Sequence, residues 1–522
     1  MRESLPVLAE VKERAIIASV PSAPTHILIE GDNLHALTCL TYTHSNKVDV
    51  IYIDPPYNTG NKDFVYNDRF VDKEDAFRHS KWLSFMEKRL RIAKGLLSDK
   101  GVIFISIDDN EQAQLKLLCD EIFGEENFIV NMIWKSKSGG GSDVSQIATD
   151  HEYILAYAKQ FSSAQIGNDI EASVTTVYNH EDEIGRYSLD RLDKQSLGYQ
   201  PSLDFPIKGP DGKTYVVHHK DPRVKKARWR WGRDTVAERY DELVFIYPYV
   251  YTKNYEKSDG QKPRSVLFDE RFGRTRTGST DLRKVIGNQS IFTYPKPVAL
   301  LQYLTQIGSK KTAVILDFFA GSGTTLHAVM KLNAEDGGKR TCILVTNNEN
   351  GICEKVTYER NRRVIQGYTN AKGEAVPGLQ DNSLRYYKTE FVPRRPSPRN
   401  ARALMAASVD LLCVKNDLYD EVPRFFGKKL KKSAGRYFDD GRGRRMLVLF
   451  DETTVPSVAE TIRGASFKGK VKIYVFAHGD YAYNEEFEEV ADKVELCALP
   501  AAIRNAYRRV IGKYRPQEED AK

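Results

Sequence analysis

Val48-Asp49-Val50-Ile51-Tyr52-Ile53-Asp54-Pro55-Pro56-Tyr57 is an apolar run that stops abruptly at an acid, two prolines and an aromatic ring. Six residues of this kind read as a buried strand. The prolines fix φ and remove two backbone donors, so carbonyls at the strand end are left to accept from a ligand. Asp54 adds a second kind of acceptor, and Tyr57 a flat stacking surface. Such a rigid polar ledge at the carboxyl edge of a sheet fits a planar base carrying an exocyclic amine. Around the ledge, strands Thr25–Glu30 and Val102–Ile107 alternate with helices over 80–97 and 110–123. That alternation predicts a doubly wound, mostly parallel α/β sheet with helices on both faces. The stripe Trp82, Phe85, Met86, Leu90, Ala93 and Leu97 reads as core, and Lys100-Gly101 as the stop of that helix.

A second strand, Val314-Ile315-Leu316, ends in Asp317-Phe318-Phe319-Ala320-Gly321-Ser322-Gly323-Thr324-Thr325. It reads as strand, glycine turn and helix start, with Thr324 or Thr325 near the N-cap. Leu326 stands where a dinucleotide fingerprint needs its third glycine, and no Lys follows Gly323 as a phosphate loop requires. An acid at the end of the strand suits instead a ligand with a positive amino group, such as S-adenosylmethionine. Taken alone, the turn is more often structural.

The 522 residues carry a net charge of +7, with both signs abundant. About three domains follow at roughly 150 residues each. The mild basic excess is compatible with a nucleic-acid partner. Six scattered cysteines without a Cys-x-x-Cys pair indicate neither a zinc site nor a disulfide framework, and no metal is expected. Without a signal-like N-terminus or a membrane-length apolar span, the expected setting is the cytoplasm.

Together, and in this order, the two motifs resemble the beta class of DNA amino-methyltransferases, whose catalytic motif precedes a target-recognition insert and then the cofactor motif. Gly31-Asp32-Asn33-Leu34, Gly101–Asp108, Asn131–Lys135 and Phe292-Thr293-Tyr294-Pro295-Lys296-Pro297 resemble further segments of that family. Thr149–Leu155, Arg228-Trp229-Arg230-Trp231, Thr346–Asn350 and Val356–Arg360 are similar to the Mod subunits of type III restriction-modification systems. The resemblance implies a methyltransferase fold with circularly permuted motifs, S-adenosylmethionine as cofactor and double-stranded DNA as substrate. It also implies a homodimer and a restriction (helicase-nuclease) partner. Adenine-directed members usually carry Asp at the position of Asp54 and cytosine-N4 members more often Ser, an association that favours adenine N6.

In that frame Asp54 and the Pro55 carbonyl accept from the two N–H groups of the amine, Pro56 stiffens the ledge and Tyr57 stacks on a flipped base. Asp317 faces the methionine amino group or orders water beside it, while Phe319, Gly321, Gly323 and Thr324 shape the loop. Glu349, read at the end of the strand starting at Thr341, accepts from ribose hydroxyls, with helix capping by its neighbours as the alternative. Asp32 resembles the residue near the cofactor adenine, or is a turn former. Lys296 touches the methionine carboxylate or is simply exposed. Trp134 is either the second pocket wall or a core residue.

Four regions are expected: residues 1–159 as the catalytic half, 160–290 as the target-recognition insert, 291–392 as the cofactor half, and 393–522 as a small C-terminal α/β unit for subunit contact or capping. The last begins at a stiff basic linker, 393–400. In the insert, Gly209-Pro210-Asp211-Gly212 marks a hairpin, Trp229 and Trp231 anchor a small core, and Arg274 and Arg276 are candidates for DNA contact. Competing readings are a DNA-binding specificity subunit that licenses a nuclease-helicase, a cytosine-N4 enzyme and an RNA methyltransferase. No ATP-binding loop is present.

Overall fold

The computed structural model describes residues 4–60, 65–66, 69–139, 146–171, 177–221, 223–256, 260–287, 292–370, 372–477 and 483–511. They form two compact units, one of residues 1–167 with 264–522 and one of 168–263.

The larger unit is built on ten strands: β1 (Ser4–Glu10), β2 (Thr25–Glu30), β3 (Val48–Ile53), β4 (Leu97–Ile107), β5 (Phe128–Lys135), β6 (His151–Ala158), β7 (Val266–Leu267), β8 (Val314–Asp317), β9 (Thr341–Thr346) and β10 (Ser383–Pro393). Their order is β1-β10-β2-β9-β8-β3-β4-β6-β5-β7. Strands β2, β9, β8, β3 and β4 run parallel, and β6 is antiparallel to both of its neighbours. The central strands read as continuous apolar runs because both of their faces are covered. Along β3 and its neighbours, Ile51, Ile53, Ile103, Ile105 and Leu316 join one core layer, and Val50, Tyr52, Val102, Phe104 and Ile315 the other. This is the two-residue alternation of a pleated strand.

The first layer is closed by α1 (Asn33–Thr43), α2 (Arg78–Leu96), α3 (Gln112–Phe123) and α8 (Pro398–Asn416). The second is closed by α4 (Thr275–Ile286), α5 (Val298–Gly308), α6 (Thr324–Asp336) and α7 (Glu359–Gln366). Within the predicted α2 stripe, Trp82, Met86, Leu90 and Ala93 have no exposed surface. Truncating Leu90 to Ala there costs about 2–5 kcal/mol.

Three sequence expectations change. Gly101 does not stop α2, which ends at Leu96; it lies within β4, and a Cβ there would meet the Val48 carbonyl at 2.8 Å. The stretch 393–400 is not a linker: β10 runs to Pro393, Ser397 caps α8 by accepting from Asn400 N, and Pro398 is its first residue. The irregular insert is 168–263 rather than 160–290, because β7 pairs with β5 and α4 buries Leu282, Val285 and Ile286 in the core of the larger unit.

Beyond α8 the chain adds a four-stranded sheet of β11 (Gly435–Asp439), β12 (Arg445–Leu449), β13 (Val471–Val475) and β14 (Val494–Leu496), with α9 (Val455–Gly464) packed on it. The smaller unit, taken by itself, carries an antiparallel sheet that includes Arg186–Arg191 and Tyr249–Tyr255. Its core holds Trp229, whose Nε1 donates to the Phe205 carbonyl at 2.7 Å. The predicted hairpin joins Ile207–Lys208 to Thr214–Tyr215. No described helix is long and apolar enough to cross a membrane.

Candidate functional site

Strands β8 and β3 lie side by side, with Ile315 opposite Val50 and Leu316 opposite Ile51, although more than 260 residues separate them in the chain. From β3 the chain crosses through α2 to β4 on one side; from β8 it crosses through α6 to β9 on the other. A crevice opens at the carboxyl ends of strands where such connections diverge. Here it is a cavity of about 750 Å³ that both Asp54 and the Gly321 turn line.

At the β3 end, Asp54 is held on several sides. Lys296 Nζ lies 2.8 Å from Oδ1 and 2.9 Å from Oδ2, and the Tyr57 hydroxyl donates to Oδ1 at 2.9 Å. Lys296 also donates to the Tyr57 oxygen at 2.8 Å. A second carboxylate, Glu152 on β6, has Oε2 at 3.0 Å from the Tyr57 hydroxyl and 3.3 Å from Lys296 Nζ. Lys296 is therefore buried and ion-paired, which replaces the expectation of an exposed side chain. Burial pushes its pKa down, but Asp54 and Glu152 outweigh burial and the net shift is upward, so it stays an ammonium. Burial, then Asp54 and Glu152, hold the Tyr57 phenol well above its ordinary range.

The prolines behave unequally. The Pro56 carbonyl accepts from Trp82 Nε1 at 2.7 Å and Pro56 lines the cavity, while Pro55 is buried. Trp134 has no exposed surface, donates to the Gly273 carbonyl at 3.1 Å, and lies with its ring 5.9 Å from Lys296 Nζ. It forms core behind Lys296, not a wall of the cavity.

At the β8 end, Asp317 is buried. It accepts from Phe319 N at 3.0 Å and from the Thr325 hydroxyl. Burial pushes its pKa up to about 7, against these two bonds. The turn that follows needs glycine: Gly321 has φ +48° and Gly323 φ +73°, and Gly323 itself is the N-cap of α6. Thr324 is the first helical residue rather than the cap.

Behind the turn, a π-helical stretch, Cys353–Tyr358, leads into α7 and brings three side chains onto it. Thr357 donates to the Gly321 carbonyl at 2.6 Å and Asn361 to the Gly323 carbonyl at 3.2 Å. The buried Arg360 guanidinium donates to Ser322 Oγ at 3.1 Å and Thr324 Oγ1 at 2.7 Å. A Cβ on Gly323 would stand 2.4 Å from Asn361 Nδ2.

The cavity is also lined by Asp32, Lys296, Phe319 and Glu349 from the predicted set, and by Phe85 and Phe292. Asp32 is the N-cap of α1, accepting from Leu34 N at 2.9 Å, and is paired to Arg89 at 3.3 Å. Glu349 sits in the turn after β9, which ends at Thr346. Its neighbour Asn348 accepts from Glu354 N at 3.2 Å, so the capping alternative applies to Asn348. Arg274 and Arg276 are not in the cavity. Arg274 donates to the carbonyls of Phe268, Asp269 and Gly273, while Arg276 is exposed on the first turn of α4.

Sequence reasoning gave no role to Glu152, Thr357, Arg360 or Asn361, and it placed Phe85 in the core. Glu152 and Arg360 lie in segments quoted for their family resemblance, but spacing carries no sign that a charge will be buried against a partner from a distant part of the chain.

The family model described as DNA methylase matches residues 48–366, a span that contains both strand ends. The chain is 35% identical over 404 residues to the EcoPI Mod subunit, a type III restriction-modification enzyme of Escherichia phage P1, covering 67% of this chain and 62% of that protein. It is 35% identical over 382 residues to the type II methyltransferase M.KpnI of Klebsiella pneumoniae, covering 69% of this chain and 90% of that one. Among solved structures, it is similar to the cytosine-N4-specific PvuII DNA methyltransferase at 10% identity, with a TM-score of 0.36, over 65% of this chain and 88% of the other. The chain thus spans less than two thirds of the EcoPI subunit's length. The match of more than half of the sequence to one family model shows that the chain belongs to the DNA methylase family.

Proposed function

We propose that this protein transfers a methyl group from S-adenosylmethionine to adenine N6 in double-stranded DNA, as the modification subunit of a type III-like restriction-modification system. The observation that carries the reading is one cavity lined by both Asp54 and the Gly321 turn. Its lining fits the cofactor. Asp32, Asp317 and Glu349 offer carboxylates to an ammonium and to hydroxyls, and Phe85, Phe292 and Phe319 offer apolar rings. Supporting it further are the family and the named Mod subunit and methyltransferase relatives.

When bound, S-adenosylmethionine supplies an electrophilic methyl carbon whose bonding pair to sulfur stays with sulfur. The residues of this chain prepare the acceptor. An exocyclic amine conjugated to a ring is a poor nucleophile, and acceptors on both N–H groups direct its lone pair out of conjugation. Asp54 takes one N–H; with the Pro56 carbonyl engaged by Trp82, the other falls to Pro55. Asp54 then receives the proton that the methylated nitrogen sheds and releases it to water. Lys296, held as an ammonium, cannot take it. Tyr57 is fixed through its hydroxyl; its half-buried ring packs against the core outside the cavity lining, and in this reading it is the stacking face for a base flipped from the duplex at about a few kcal/mol.

The same reading gives the protein a homodimeric state, a helicase-nuclease restriction partner and a cytoplasmic setting. Residues 168–263 read as the target-recognition region, and Arg274 and Arg276, which follow it in the chain, as DNA contacts. The test is label transfer from methyl-labelled S-adenosylmethionine to unmethylated duplex DNA, single-stranded RNA and a cytosine-only acceptor, followed by mapping of the modified base. Label on adenine N6 of the duplex supports the proposal; label on cytosine or RNA alone replaces it. Cofactor binding without label in any acceptor returns the specificity-subunit alternative.

A further inference from the structure

We propose that Glu152 is a second anionic positioning residue of the transfer site, sharing Lys296 and Tyr57 with Asp54 so that Asp54 keeps lone pairs for the acceptor amine. The inference deepens the methyl-transfer reading above and rests on it.

An ionised carboxylate offers about two acceptor sites per oxygen. On Asp54, Oδ1 receives Lys296 at 2.8 Å and Tyr57 at 2.9 Å, and is full; Oδ2 receives only Lys296, at 2.9 Å. One site on Oδ2 is thus left for an amine N–H. The Tyr57 hydroxyl has a single proton, and Glu152 Oε2 stands as close to it, at 3.0 Å, as Asp54 does. When Glu152 takes that proton, a site on Oδ1 opens as well. Glu152 thereby sets how many lone pairs Asp54 presents.

Charge points the same way. Asp54 and Lys296 alone sum to zero, which leaves nothing to balance the positive charge that accumulates on the acceptor nitrogen. Glu152, 3.3 Å from Lys296 Nζ, brings the cluster to a net charge of −1. Fixed charge aimed at a site of developing charge is the strongest lever a buried site has. Glu152 is outside the cavity lining, so its effect passes through Lys296 and Tyr57 rather than through the cofactor.

The experiment compares Glu152→Gln and Glu152→Asp with the full-length wild type. Glu152→Gln keeps length and an acceptor for Tyr57 but removes the charge. The expected result is a fall of about 100-fold in kcat for DNA methylation, with calorimetric affinities for S-adenosylmethionine and duplex changed less than threefold. A readout independent of turnover is the titration of the Lys296 amine, followed by pH-dependent competitive acylation with mass spectrometry. Because Glu152 helps hold Lys296 as an ammonium, the Gln variant titrates at lower pH, and Glu152→Asp recovers part of both effects. Wild-type kcat in Glu152→Gln with unchanged Lys296 titration would overturn the inference and leave the methyltransferase reading standing. So would equal losses of kcat, cofactor affinity and thermal stability, which mark a merely structural role. A wild-type protein that binds the cofactor but methylates no acceptor overturns the reading itself.

Discussion

Asp54 and Asp317 look alike in the sequence and differ in the fold. Each ends an apolar strand, the strands are neighbours, and both carboxylates line one cavity. Asp54 is bracketed by a phenol three residues away and by an ammonium 242 residues along the chain. Asp317 is met by a hydroxyl and a backbone N–H from within eight residues of itself, and no described cation pairs with it. The first is a carboxylate already anchored, with one face to offer a neutral donor. The second is a buried acid whose natural complement is a cation brought by a ligand. Environment, rather than residue type, divides the labour between them.

Removing each acid separately tests this division most directly. Asp54→Ala should lower methyl transfer by 10³-fold or more while cofactor affinity stays within about threefold. If calorimetry shows the cofactor lost as well, Asp54 is not specific to the acceptor. Asp317→Ala should do the reverse, weakening cofactor binding about 100-fold, because it removes the proposed partner of the ligand ammonium and strands the Thr325 and Phe319 donors. A smaller effect is expected from Gly323→Ala, whose Cβ would meet Asn361 at 2.4 Å at a φ of +73°. Strain of about 1–3 kcal/mol should appear as a lower Tm and roughly 10-fold weaker cofactor binding.

Titration separates the two acids further. With Asp317 at about 7, its charged form gains on raising the pH. Affinity for the cofactor should therefore rise about tenfold between pH 6 and pH 8 and become flat in Asp317→Asn. Stability of the ligand-free protein has the opposite sign. A carboxyl whose pKa is raised on folding adds stability below its unfolded value, near 4, and loses it as pH climbs through 7. A wild-type affinity that ignores pH would mean that the ligand cation is met elsewhere. The smallest change is on the Asp54 side. Trp134→Phe keeps the buried ring but loses the bond to Gly273, costing about 1 kcal/mol by denaturant unfolding with kcat almost unchanged. A large loss of kcat would return Trp134 to the base pocket.

Much of the central sheet was legible. Thr25–Glu30, Val48–Ile53 and Val102–Ile107 end where the structure ends them, since a buried parallel strand is a short apolar run closed by polar residues. The Gly101 stop and the 393–400 linker misread local signals that distant pairing overrode: close approach to Val48 in one case and a capped helix in the other. Site residues followed the same division. Asp54, Asp317 and the two glycines announce themselves through motifs. Lys296 left open two readings, neither of them a pairing with Asp54 and Glu152, and Glu152 had no reading at all.

From the chain order alone came two acid-ended strands, a glycine turn and an irregular insert between them, because backbone preferences and burial patterns are written in consecutive residues. Which acid meets a cation, and which charge at β6 completes the cluster, depend on segments more than 90 residues apart converging on one point. Electrostatic character is a property of distances in space. Only the folded sheet sets those distances.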